Sequence, residues 1–172
     1  MAPENYDLLL EHEARLDGLT LRRLGQELPE ATRAIQGALH DKSPHALHAT
    51  TIGWLYFQAG PDGETFAARW AQAGFPELKN DERVILRGKM QVRVALLEIQ
   101  RVRDDGQSMD AVDLLDPSGP LLRFVDRSVA RRAVRFSRVL TWIYPLPHFW
   151  RMFGTGVVLP VERRLYVEVG AN

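Results

Sequence analysis

Residues 92–125, VRVALLEIQRVRDDGQSMDAVDLLDPSGPLLRFV, mark the point where the chain changes its hydrophobic period. Val94 to Val102 are β-branched or large apolar residues with polar interruptions, the pattern of a strand. Asp104-Asp105-Gly106 offers a turn and Met109 to Leu115 reads as a second strand. Asp116-Pro117-Ser118-Gly119 turns the chain again, because Pro fixes φ and Gly permits positive φ, and Leu121 to Val125 is the return strand.

Downstream, residues 131–160, RRAVRFSRVLTWIYPLPHFWRMFGTGVVLP, continue the pattern around a Pro-Leu-Pro corner. Strands are predicted from Phe136 to Tyr144, from Phe149 to Leu159 and from Leu165 to Val169. Short strands with turns about every ten residues predict an antiparallel meander or a small open barrel.

Upstream, the period is helical. A first helix is predicted from about Glu4 to Leu16, stopped near Gly18, and Thr20 is placed to cap a second short helix carrying Leu21, Leu24 and Leu28. Pro29 opens a third. Ser43-Pro44 starts a helix to about Phe57, apolar nearly all round from Trp54 onward, and Gly60 to Gly63 breaks it. Glu64 to Ala73 forms the next, with Phe66 and Trp70 on one face, and Asn80-Asp81-Glu82 starts another carrying Val84, Ile85 and Met90. The expected fold is therefore α+β: a helical lobe over 1–91 and a β lobe over 92–172, packed together as one unit.

At 172 residues the chain is long enough to bury roughly 70% of its unfolded surface. It has no cysteine, which excludes disulfides, Cys-ligated zinc, iron–sulfur clusters and thiol nucleophiles, and fits a reducing compartment; a cytoplasmic location is expected. No stretch approaches the roughly 18 apolar residues of a membrane span, so no membrane role is expected. The formal net charge is zero, yet between Arg123 and Arg164 nine arginines face only Asp126 and Glu162. One lobe is basic although the protein is neutral.

Chemistry-bearing patterns are sparse. His45 and His48 stand three apart on a predicted helix, a spacing that lets two imidazoles share a divalent metal, but ordinary helix histidines fit the pattern better. Asp104, Asp105, Asp110, Asp113 and Asp116 could offer oxygen ligands, yet they lack the calcium-loop spacing, and turn aspartates commonly bond their own backbone. Gly154-Thr155-Gly156 lacks the Gly-Lys-Ser/Thr that completes a phosphate loop. These patterns expect no cofactor and no bound metal, and make an enzyme the weaker reading. The stronger candidate is Arg131, Arg132, Arg135 and Arg138 with Trp142 and Trp150, since cationic and aromatic side chains together suit nucleic acid or a protein partner. The competing reading makes the aromatics core and the arginines a solvated face.

Asp113-Leu114-Leu115, Val125-Asp126-Arg127-Ser128, Arg138-Val139-Leu140 and Gly156 to Pro160 together resemble a β module of uncharacterised bacterial proteins, some of which also carry the small SEC-C zinc-binding motif. The resemblance spans about Leu96 to Pro160. It implies a small β domain behind a helical one, with no established activity, and no zinc role carries over because the SEC-C cysteines are absent.

The function expected from the sequence is a non-catalytic binding module contacting protein or nucleic acid through the β lobe. The alternatives are a hydrolase or metal-dependent enzyme using the Asp104 to Asp116 cluster or His45 with His48, and a homo-oligomer associating through the Trp54 to Phe57 patch or an edge strand.

Overall fold

The computed structural model describes residues 5–27, 33, 37, 53–57 and 63–159. Helix α1 (Tyr6–Glu27) leads the chain. Its buried side chains Tyr6, Leu9, Glu13, Leu16, Thr20 and Leu24 are spaced three or four apart, so one continuous stripe faces the interior. This corrects the sequence expectation of a stop near Gly18 and a new helix capped by Thr20. Gly18 points into open space, and a solvent-facing glycine costs a helix only about 1 kcal/mol relative to Ala, which the buried stripe on either side outweighs. Thr20 caps nothing: it is buried in mid-helix and its Oγ1 donates to the Leu16 carbonyl at 2.7 Å.

A single π-helical turn at Gly53–Phe57 follows. The helix expected from Ser43 otherwise lies outside the described residues, as do the one opened by Pro29 and the strand from Leu165 to Val169. Helix α2 (Phe66–Gln72) is capped by Thr65, whose Oγ1 accepts from Ala68 N. Helix α3 (Asn80–Lys89) starts where the Glu82 carboxylate reaches back to accept from Lys79 N at 2.8 Å.

Five strands come next: β1 (Arg93–Val102), β2 (Ser108–Asp113), β3 (Leu122–Val125), β4 (Arg138–Leu146) and β5 (Phe149–Leu159). A four-residue helix, α4 (Arg127–Ala130), lies between β3 and β4. The strands close into a barrel in the order β1-β2-β3-β5-β4. The β1–β2, β1–β4, β2–β3 and β4–β5 pairs are antiparallel, while the seam between β3 and β5, at Phe124 and Trp150, is parallel. The protein is thus α+β with a small barrel, and that barrel is closed. The connection through α4 crosses one end of the barrel and delivers β4 beside β1, so β5 must return next to β3 in the same direction.

Two apolar clusters hold the structure. Inside the barrel lie Leu97, Ile99, Met109, Phe124, Ile143 and their neighbours; outside it, α1, α2 and α3 pack on β4 and β5 through Leu16, Leu24, Phe66, Trp70 and Ile85 against Tyr144, Leu146 and Phe149. Alternation sends Ile143 inward but Tyr144 and Leu146 to the helices, so β4 is buried on both faces over this stretch. That explains its nearly unbroken apolar run. Helix α3 approaches so closely that a Cβ on Gly88 would sit 2.2 Å from the Pro145 carbonyl oxygen.

Candidate functional site

The sequence between β3 and β4 builds the end of the barrel from local rules. Asp126 caps α4, its Oδ1 accepting from Ser128 N at 3.0 Å, Val129 N at 3.1 Å and Ser128 Oγ at 2.7 Å. The chain then runs over the last part of β1: Phe136 N donates to the Ile99 carbonyl at 2.6 Å and Ile99 N donates to the Ser137 carbonyl at 3.0 Å. To make these bonds Phe136 takes a left-handed backbone conformation, φ 67°, which is uncommon for a bulky residue. Its ring is half exposed at 49%, with the Arg135 guanidinium 4.6 Å from its centroid.

This segment separates two depressions. One, of about 510 Å³, is walled by Ile99, Val129, Ala133, Val139, Met152 and Val158, with Ser128, Arg132 and Ser137 adding polar atoms. The other, of about 670 Å³, is shallower and runs past Gln100, Arg101, Val102, Val134 and Arg135. Ala133 borders both.

The β5 wall of the first depression is a bulge. Leu140 pairs with Val157 and Trp142 with Phe153, so Gly154 to Gly156 stand opposite Thr141 alone. Gly154 has φ 82°. A Cβ at Gly156 would meet Val139 Cγ1 at 2.6 Å. The Gly-Thr-Gly sequence therefore serves strand geometry, and the missing side chains leave the depression open.

Charge distinguishes this end from the rest of the barrel. Of the ten arginines between residues 93 and 159, six are held by carboxylates. Arg93 pairs with Asp113, Arg103 at 2.8 Å and Arg123 at 3.9 Å with Asp110, Arg127 with Asp7 at 2.9 Å, Arg138 with Glu98 at 3.0 Å, and Arg151 with Glu13 at 2.8 Å. The remaining four, Arg101, Arg131, Arg132 and Arg135, are exposed and make no ion pair among the described residues. All four belong to the segment around Ala133 or the β1 end beneath it.

The side chains singled out from sequence are thus divided. Arg132 lines the first depression, Arg135 lines the second, and Arg131 is the exposed C-cap of α4; Arg138 is at the same end but engaged by Glu98. Trp142, midway along β4, packs on Phe57 with ring centroids 5.3 Å apart. Trp150 is at the opposite end of β5, beneath the Arg93 guanidinium at 5.3 Å. Neither tryptophan joins the arginines, because strand alternation and direction take them elsewhere. Arg101 and Phe136 were missed; Phe136 is recognisable as the aromatic set directly against Arg135.

The other candidates have structural work. Asp105 accepts from Gln107 N and Ser108 N at 2.8 Å each. Burial opposes its charge, but these bonds and one from the Ser108 hydroxyl hold its carboxyl below the usual range. Asp110 and Asp113 are consumed by arginines, Asp113 also accepting from Leu96 N and Leu115 N, and Asp116 takes the Ser118 hydroxyl at 3.4 Å. The aspartates of 104–116 therefore do not converge on a common point, and no metal-holding group of three occurs among the described residues. His45 and His48 lie outside those residues. Of the apolar patch, Leu55 is buried and Tyr56 meets Phe153 at 5.9 Å, leaving Phe57 half exposed. No described helix is long and apolar enough to cross a membrane.

Compared with known proteins, the chain matches no family model, and no curated protein or solved structure is significantly similar to it.

Proposed function

We propose that the protein is a non-catalytic binding module for single-stranded nucleic acid, which it grips at the barrel end where β1 and β5 finish and β4 begins. The observation that carries this reading is the gathering of Arg101, Arg131, Arg132 and Arg135, without carboxylate partners, around the Ala133 segment of a neutral protein. Unpaired guanidiniums attract phosphates and release counterions on binding, and an exposed ring beside them gives a base something to stack on. Phe136 supplies that ring, and its left-handed backbone is the kind of local strain that accumulates at binding sites.

Five-stranded barrels of the oligonucleotide-binding type use the face of strands β2 and β3. Here the arginines of that face are engaged by carboxylates, Arg103 and Arg123 by Asp110 and Arg93 by Asp113. Likeness of plan therefore argues for the class of ligand only by analogy, and the local charge argues for the place.

The test is fluorescence anisotropy with a labelled fifteen-residue oligothymidine, a duplex and an acidic peptide. Saturable binding of the single strand is expected, abolished by Arg131→Glu with Arg135→Glu, while stability changes by less than about 0.5 kcal/mol because both sites are exposed. Failure to bind any single strand at low salt, or binding that the double variant leaves intact, overturns the proposal. Preference for the acidic peptide would reassign the surface to a protein partner.

A further inference from the structure

The 510 Å³ depression has a composition that the strand-binding reading alone does not require. Its walls, Ile99, Val129, Val139 and Met152, are apolar, and its size falls within the roughly 300–1,000 Å³ of small-molecule pockets. Three polar features interrupt those walls. Arg132 stands at the lining with no carboxylate to neutralise it, and Ser137 Oγ has no hydrogen-bond partner among the described residues. The Gly154 to Gly156 bulge presents backbone without a glycine side chain in front of it.

An occupant must therefore be flat or slender and largely apolar on its faces, with hydrogen-bonding edges and an anionic group a few ångströms away at the rim. A purely aliphatic ligand would leave the Ser137 hydroxyl and the bulge without partners, which is costly in a site of this kind. A nucleobase with its own phosphate meets all of these conditions.

We propose that the depression is a subsite for one base of the bound strand, turned out of the stack and lodged between α4 and the β5 bulge, with the adjoining phosphate on Arg132. Phe136, half exposed beside the Arg135 guanidinium, then stacks a neighbouring base. The inference rests on the strand-binding reading and adds a position at which the protein distinguishes a base from bare backbone.

The experiment compares the fifteen-residue oligothymidine with an abasic oligomer of equal length, and follows the Met152 methyl resonance as thymidine monophosphate is added. Wild-type protein is expected to bind the abasic strand about tenfold more weakly, and the mononucleotide should shift Met152 saturably while leaving Met90 unmoved. Val158→Trp, at an exposed edge of the depression, should abolish the Met152 shift and reduce the base preference to the share that Phe136 stacking supplies, while abasic binding persists. Arg132→Gln, which removes the charge but keeps a polar side chain, should weaken the mononucleotide about tenfold. Equal affinity for the two strands, or no Met152 shift, overturns the subsite while strand binding stands. A base preference that Val158→Trp leaves undiminished assigns all of it to Phe136 and likewise overturns the subsite. If neither strand binds, the strand-binding reading itself fails and takes this proposal with it.

Discussion

Arg151 on β5 holds the Glu13 carboxylate of α1 with two hydrogen bonds, Nε to Oε1 at 2.9 Å and Nη2 to Oε2 at 2.8 Å. Both side chains are buried, and the pair is the centre of a polar network between barrel and helix. The Tyr144 hydroxyl donates to the same carboxylate, and Arg151 Nη1 donates to the Val125 carbonyl and to Tyr6 Oη. Tyr6 Oη accepts in turn from Arg127 N, the first residue of α4, at 3.1 Å. Burial disfavours the Arg151 charge, but the bonds and charge of Glu13 outweigh it and raise the guanidinium pKa further; burial and the Glu13 charge push the Tyr144 phenol well above its ordinary value.

Removing one partner of this pair leaves a buried charge uncompensated. Glu13→Ala is expected to destabilise the protein by about 3–5 kcal/mol, as for other broken buried pairs. Because Asp126 Oδ2 remains 3.5 Å from Arg151 Nη1, the low end of that range is expected. Urea unfolding followed by circular dichroism measures it, and a change below about 1 kcal/mol would show that the network contributes little.

Two glycine substitutions should have opposite signs. Gly18→Ala places a methyl in open space on α1 and should stabilise by about 0.5–1 kcal/mol. Gly88→Ala drives a methyl into the Pro145 carbonyl and should destabilise by about 1–3 kcal/mol. Paired thermal melts decide both.

Glu82 predicts acid sensitivity. Its side chain is fully buried; burial would raise its pKa, but bonds from Arg15 and Lys79 N and the Arg15 charge lower it overall. A carboxyl depressed in the folded state contributes stability above its unfolded pKa of about 4.3 and loses it as pH falls through the lower folded value. Stability measured between pH 6 and pH 3 should therefore fall less steeply in Glu82→Gln than in the wild type, even though the variant is less stable at neutral pH. Parallel curves would remove Glu82 as the cause.

Phe136→Gly separates binding from stability. Glycine accepts φ 67° without strain, so stability should change by less than about 1 kcal/mol. Affinity for the single strand should fall by about 1–3 kcal/mol, the contribution of one base stacked on an aromatic ring. Unaltered affinity would exclude Phe136 from the contact surface.

Salt dependence counts the phosphate contacts. With all four unpaired arginines engaged, log K should fall against log salt with a slope of at most about −2.8, four contacts at roughly −0.7 each. Arg131→Gln should reduce that slope by about 0.7. Anisotropy titrations between 50 and 300 mM salt provide the measurement; a slope near zero would exclude phosphate contacts.

The strands could be read from residue order because each depends on local alternation and on turns such as 116–119, where Pro and Gly act on their own backbone. Helices α2 and α3 were readable for the same reason, from Phe66 with Trp70 and from the start signal at 80–82. The continuity of helix α1 through Gly18 is not legible locally, because the penalty of about 1 kcal/mol there is outweighed only by the stripe from Tyr6 to Leu24 packing as one face.

The candidate site was half readable. The sequence by itself determined that a basic segment precedes β4, and that strands there alternate between core and surface. Only the tertiary structure decided which arginines are available, because ion pairing depends on distance in space. Asp110, Asp113, Glu98, Glu13 and Asp7 come from other parts of the chain to pair with six of the ten, Asp110 taking two of them, and barrel closure brings Arg101 up to Arg135 while carrying Trp150 to the far end.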